Sequence, residues 1–202
     1  TELEGWRKLP FDESDFASSV GVNSLPGEPG FSVLERLWTR PTLEINGIWG
    51  GFSGEGQKTV LPAKAGAKIS LRLVPDQSPD QIFELVKTHI TGLELPGVRV
   101  EVKKLHTAPC ALVDANSPAA QLALRALERA YPGKDVAFVR TGGSIPVVSV
   151  FSQVLGAPVL LVDYGLPDDG AHGPDERFTL ECFKKGVEVS GYLYQELSSL
   201  KV

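Results

Sequence analysis

The sequence predicts an α/β chain in two parts. Residues 1–108 form a small α+β open-faced sandwich, an antiparallel sheet with helices, and residues 109–202 form a partial α/β unit. Three observations carry this. Residues 68–74 alternate, with Ile69, Leu71 and Leu73 on one side and Lys68, Ser70 and Arg72 on the other. Residues 98–103 repeat the pattern with Val98, Val100 and Val102. A period of two with one polar side marks a half-buried antiparallel sheet. Residues 158–162 are apolar on both sides, as a buried parallel strand is.

The elements follow in order. Residues 1–31 hold Gly21, Pro26, Gly27, Pro29 and Gly30 with little periodicity, and are expected to be loop. Ser32 caps a short helix over 33–38. Residues 42–48 are a strand, and 68–74 a second. Ser78-Pro79-Asp80-Gln81 has the spacing of a capping box. The helix it opens carries an apolar stripe of Ile82, Leu85, Val86, His89 and Leu93, which makes His89 a packing residue. A strand over 98–102 closes the first part, with one sheet face covered by helix.

In the second part Ser117-Pro118 starts a helix whose polar stripe is Gln121, Arg125, Glu128 and Arg129. Its other faces are small or apolar, so it should be largely buried. A strand over 136–139, a Gly142-Gly143 turn and a helix over 144–155 come next, then the strand over 158–162. The last helix is expected over 175–199, with a core stripe of Phe183, Gly186, Val187, Ser190, Leu193, Tyr194 and Leu197. Two strands do not complete such a sheet, so the remainder is expected in sequence outside these 202 residues.

Composition narrows the function classes. At 42% hydrophobic and 22% charged residues, the chain is an ordinary globular one. A net charge of −5 with no Lys/Arg block argues against nucleic acid as partner. Its apolar runs are too short to span a bilayer, and no secretory signal opens the chain. A cytoplasmic setting follows, in which Cys110 and Cys182 are expected to be a buried pair of free thiols. The absence of Met fits a chain that starts within a longer one.

Few segments can carry chemistry. Gly54-Glu55-Gly56-Gln57-Lys58-Thr59 has glycines and a Lys, but Gln57 separates Gly56 from Lys58 and Val60-Leu61-Pro62 follows. A phosphate loop needs Gly directly before Lys and a helix directly after it. His106 and Cys110 have half of a zinc-site spacing and no second half. His172 lies between Gly170 and Gly173, after Asp168-Asp169, in a strand-to-helix connection of the kind where α/β domains bind ligands. It is a candidate metal ligand or catalytic group. Arg140-Thr141-Gly142-Gly143-Ser144 also joins a strand to a helix. Its glycines and helix start suit close approach of a carboxylate, and equally a plain turn capped by Ser144. No Gly-x-Ser-x-Gly elbow is present.

An ordered set of motifs resembles the dinuclear-metal aminoacylase and dipeptidase superfamily, which includes carnosinase, cytosolic nonspecific dipeptidase, acetylornithine deacetylase and succinyl-diaminopimelate desuccinylase. The set is Phe52-Ser53-Gly54, Lys58-Thr59-Val60-Leu61-Pro62, Leu71-Arg72-Leu73-Val74-Pro75, Gly142-Gly143-Ser144-Ile145-Pro146 and Gly170-Ala171-His172. The carnosinase and nonspecific-dipeptidase branch is the most similar. The resemblance implies that residues 1–108 are most of a lid, or dimerisation, domain and residues 109–202 the C-terminal return into a catalytic α/β domain. It implies His172 as a metal ligand. Thr59, Arg72, His106, Gly143 and Ser144 are implied as substrate contacts, and the lid as a homodimer interface. Two divalent ions, Zn or Mn, would bridge a water that a Glu deprotonates for attack on the peptide carbonyl of a small peptide.

Departures from the family pattern qualify this. No His here is followed two residues later by Asp, and no adjacent Glu-Glu pair occurs. A lid His for the oxyanion would precede residue 1, and Asp175 stands where Asn is common. The chain is therefore expected to contain no catalytic residue, to hold no metal stably and to be inactive alone, as part of a metallodipeptidase. The alternatives are an N-acyl amino acid deacylase of the same superfamily and a non-catalytic dimerisation module.

Overall fold

The computed structural model describes residues 2–141 and 145–199. Its elements are α1 (Glu2–Trp6), α2 (Glu13–Ser19), α3 (Val33–Thr39), β1 (Thr42–Gly50), β2 (Ala65–Arg72), α4 (Pro79–Thr91), α5 (Pro118–Ala130), α6 (Val147–Leu155) and α7 (Leu180–Leu197). Helices and an antiparallel sheet together bear out the α/β class.

The N-terminal stretch is more ordered than its glycines and prolines suggested. Asp12 caps α2, its carboxylate accepting from the Ser14 and Asp15 amides. α3 has a complete capping box: Ser32 Oγ accepts from the Glu35 amide, and Glu35 accepts from the Ser32 amide at 2.7 Å. That backbone donor, with the Ser32 hydroxyl, holds the Glu35 carboxyl below the usual Glu range. Trp6 is buried, and its ring meets Trp38 edge-on at 5.2 Å. Its indole N–H donates to the Phe138 carbonyl at 3.1 Å. Glu2 pairs with Arg140 at 2.7 Å. The first helix is thereby tied to residues 138–140.

β1 and β2 pair antiparallel from Thr42↔Arg72 to Gly50↔Ala65, with a bulge between Ile45 and Gly47. The bulge lets Trp49 lie against Gly66, where a Cβ would come within 2.2 Å of the indole. The expected cover of the apolar face is missing: Leu43 and Ile45 remain 57% and 59% exposed. Among the described residues the sheet has two strands. Residues 98–102, 136–139 and 158–162 join no ladder, so neither the alternation at 98–102 nor the apolar run at 158–162 has a strand partner among the described residues.

α4 departs from its expected stripe. Ser78 makes no side-chain cap bond; Pro79 opens the helix, and Gln77 Oε1 accepts from the Val74 amide instead. Lys87 and Lys104 flank the Phe83 ring at 5.7 and 5.8 Å, and Lys104 pairs with Asp80. That turns Phe83 inward with Ile82, Val86 and Ile90, and leaves Leu85 and His89 exposed. His89 is thus a surface residue.

The firmest packing is α5 on α7. Ala120, Ala123, Ala126 and Ala130 make a stripe of small buried residues on α5, and Val189 is the buried centre of α7. Alanines at this spacing let two helix backbones approach closely. Glu196 closes the seam, meeting Arg125 at 3.0 Å and Arg129 at 2.9 Å. These guanidiniums hold its carboxyl below the usual range. α7 starts at Leu180 under a Thr179 cap, five residues later than expected. Phe183, Val187 and Tyr194, placed in its core stripe from sequence, are exposed. Of that stripe Gly186, Ser190, Leu193 and Leu197 are half-buried around the buried Val189, and Gly186 lies against the Tyr164 ring. Both cysteines are free, as expected, but Cys110 is exposed and Cys182 only half-buried.

Candidate functional site

The loop that carries His172 is built from its own carboxylates. Asp163 accepts from the Gly165 amide at 2.9 Å. Asp169 is buried, and its Oδ2 accepts from the Leu166 amide at 2.7 Å while its own amide donates back to the Leu166 carbonyl at 3.1 Å. The Asp169 carbonyl accepts from the Arg177 amide at 2.9 Å. Arg177 also pairs with Asp168, and its Nε stands 3.6 Å from Asp169 Oδ1. Inside this clasp the Gly173 amide donates to the Gly170 carbonyl at 2.8 Å. His172 occupies the third position of that turn at φ 64°. A left-handed His is uncommon, and costs about 1 kcal/mol that surrounding contacts have to offset. The turn leaves the imidazole exposed to solvent.

The remaining candidates are dispersed. Thr59 lies exposed in the 51–64 connection between β1 and β2, next to Lys58, whose ammonium is 5.5 Å from the Phe52 ring. Arg72 ends β2 opposite Thr42 and is exposed. Thr59 and Arg72 therefore share one hairpin. His106 is exposed between α4 and α5, in no regular element. Gly143 and Ser144 lie outside the described residues. The hollows lie elsewhere: one of about 400 Å³ is lined by Ile90, Leu93 and Val98 at the end of α4, and one of about 160 Å³ by Trp6, Phe11 and Leu34.

An exposed imidazole at the tip of a fixed turn is chemically suited to a zinc or manganese ion. Yet the described His, Cys, Asp and Glu side chains form no group of three that could hold one. Sequence reasoning noted Asp168-Asp169 only as neighbours of His172 and missed Arg177; no periodicity links residues that close a loop across eight positions.

The fold and loop define a class when set against known proteins. Residues 5–98 match the family model described as the peptidase dimerisation domain, M20_dimer. Over 99% of its length the chain is 35% identical to a Cys-Gly metallodipeptidase, dug1, of Schizosaccharomyces pombe. It is 26% identical over 98% of its length to the human Beta-Ala-His dipeptidase. Among solved structures, the di-peptidase Dug1p of Saccharomyces cerevisiae superposes with a TM-score of 0.82 at 30% identity, covering all of this chain. The chain spans about 40% of the length of these relatives: 42%, 40% and 43% in turn. Its homologues are metal-dependent dipeptidases. No helix among the described residues is long and apolar enough to cross a membrane.

Proposed function

We propose that this chain is the dimerisation domain, residues 1–108, and the following C-terminal segment, residues 109–202, of a cytoplasmic, homodimeric, metal-dependent dipeptidase. The carrying observation is alignment with a Cys-Gly metallodipeptidase over 99% of the chain while spanning 42% of that relative. The ordered motifs from Phe52 to His172 lie within that match.

In this reading His172 is one ligand to a divalent ion. Two such ions, zinc or manganese, supply the polarised water and carbonyl of peptide hydrolysis when bound. No step through them follows from one donor, so what this chain's residues do is position substrate. Arg72, on an exposed strand end, grips the C-terminal carboxylate of a small peptide through its planar fork. Thr59, His106, Gly143 and Ser144 complete the cradle and orient the peptide bond.

The test uses the longer protein that contains these residues, assayed on Cys-Gly, β-Ala-His and an N-acetyl amino acid. Arg72→Ala should raise KM for the dipeptides about ten- to a hundredfold with little change in kcat, the loss of one charge-assisted contact. His172→Ala should lose bound metal together with activity. Turnover of the N-acetyl amino acid in preference to both dipeptides would replace this reading with a deacylase.

A further inference from the structure

We propose that Asp169 and Arg177 are positioning residues that hold His172 in its left-handed presentation. The inference rests on reading His172 as the functional group of this loop.

Four observations point the same way. Asp169 is buried, 7% exposed, in a loop whose other residues from 165 to 178 are exposed. It bonds both ends of the loop, the Leu166 amide through its side chain and the Arg177 amide through its carbonyl. Arg177 returns from the far end to pair with Asp168 and Asp169. Between these ends, Gly170, His172 and Asp175 all adopt positive φ, of 68°, 64° and 61°. Two of the three carry a Cβ, so the conformation is not one the chain prefers by itself. A strained conformation persists where the surroundings over-determine it, and here the surroundings are the Asp168 and Asp169 carboxylates and the Arg177 guanidinium.

The arrangement is asymmetric. Asp169 Oδ2 is within hydrogen-bond distance of its donor. Oδ1 has no hydrogen-bond partner and faces Arg177 Nε at 3.6 Å, a charge contact only. An amide in place of the carboxylate keeps the acceptor for Leu166 and gives up the charge for Arg177. The two functions of Asp169 are therefore separable by substitution. Gly173 supports the same design: a Cβ there would lie 3.0 Å from the Gly170 carbonyl that closes the turn.

The test is NMR on the isotope-labelled 202-residue chain. It follows amide exchange at Leu166 and Arg177, the His172 backbone coupling that reports φ, and the His172 ring nitrogen shifts. Asp169→Ala should speed exchange at both amides about tenfold or more, and move His172 out of the left-handed region while the far-UV circular dichroism stays unchanged. Asp169→Asn should keep protection at Leu166 and the His172 coupling, and loosen Arg177. Arg177→Gln should speed exchange only at the C-terminal end of the loop. Unchanged His172 coupling and amide exchange in Asp169→Ala would overturn the proposal, as would equal damage from Asp169→Asn and Asp169→Ala. A separate arm distinguishes this from the reading beneath it. If His172→Ala in the longer protein keeps its full metal content, the metal role of His172 fails, whatever the loop measurements show.

Discussion

Gly27 and Gly66 are glycines because a neighbour occupies the place of a side chain. At Gly27 an added Cβ would lie 2.1 Å from Arg36 Nη1, the atom that donates to the Leu25 carbonyl at 3.1 Å. Gly27→Ala should displace that guanidinium and cost about 1 kcal/mol, the worth of one hydrogen bond, read as a lowered urea midpoint. At Gly66 the obstacle is the Trp49 ring, a rigid body, so the cost should be larger. Gly66→Ala is expected to lose about 1–3 kcal/mol as an overpacking change, with a shift in Trp emission that Gly27→Ala does not produce. Equal losses at the two sites would contradict the distinction between a flexible and a rigid neighbour. Neither glycine was readable as such from sequence, where Gly27 belonged to a presumed loop and Gly66 to no motif. A close approach is made by a residue distant in sequence, and composition does not record it.

Elements were legible where a local bond defines them and illegible where a neighbour does. The Ser32 cap was read correctly because the cap oxygen and its donor, the Glu35 amide, are three residues apart; the return bond from the Ser32 amide to Glu35 was not read. Ser78 has the same spacing but makes no side-chain cap bond, and Pro79 alone opens the helix. The polar stripe of α5 was right, with Arg125, Glu128 and Arg129 exposed, since a helix with one charged side leaves little choice. α7 is apolar on several sides, and which side is inward depends on the alanine row facing it. Ala126 is fully buried in that seam, so Ala126→Leu should separate α5 from α7 and cost about 1–3 kcal/mol, seen as loss of helical signal at lower temperature. The seam also has an acid dependence. The Glu196 carboxyl is held below its ordinary value by Arg125 and Arg129, so the folded state binds the proton less readily than the unfolded chain. Its contribution is present above the ordinary Glu pKa of about 4.3 and is lost as pH falls through the lower folded value. Glu35, held low by the Ser32 box, acts in the same window. Stability measured from pH 6 to pH 3 should fall, and Glu196→Gln should flatten part of that fall. A slope unchanged by the substitution would remove Glu196 from the account.

At the scale of the whole molecule, the candidate site was legible as a list of residues and not as a place. The motif order located Thr59, Arg72, His106 and His172, and the chain folds them onto a hairpin, a connecting segment and a separate loop. The α6 and α7 side chains Val154, Leu155, Leu180 and Tyr194 are 69–77% exposed. An ion held by a single imidazole keeps most of its water ligands and exchanges freely, so it neither fixes a nucleophile nor orients a carbonyl. The 202-residue chain supplied with zinc or manganese is therefore expected to show no hydrolysis of Cys-Gly above the buffer and metal blank, with no tight metal binding by calorimetry. Metal-dependent turnover by this chain alone, abolished by His172→Ala, would mean that further ligands assemble from a second copy, and the division of labour proposed for it would have to be redrawn.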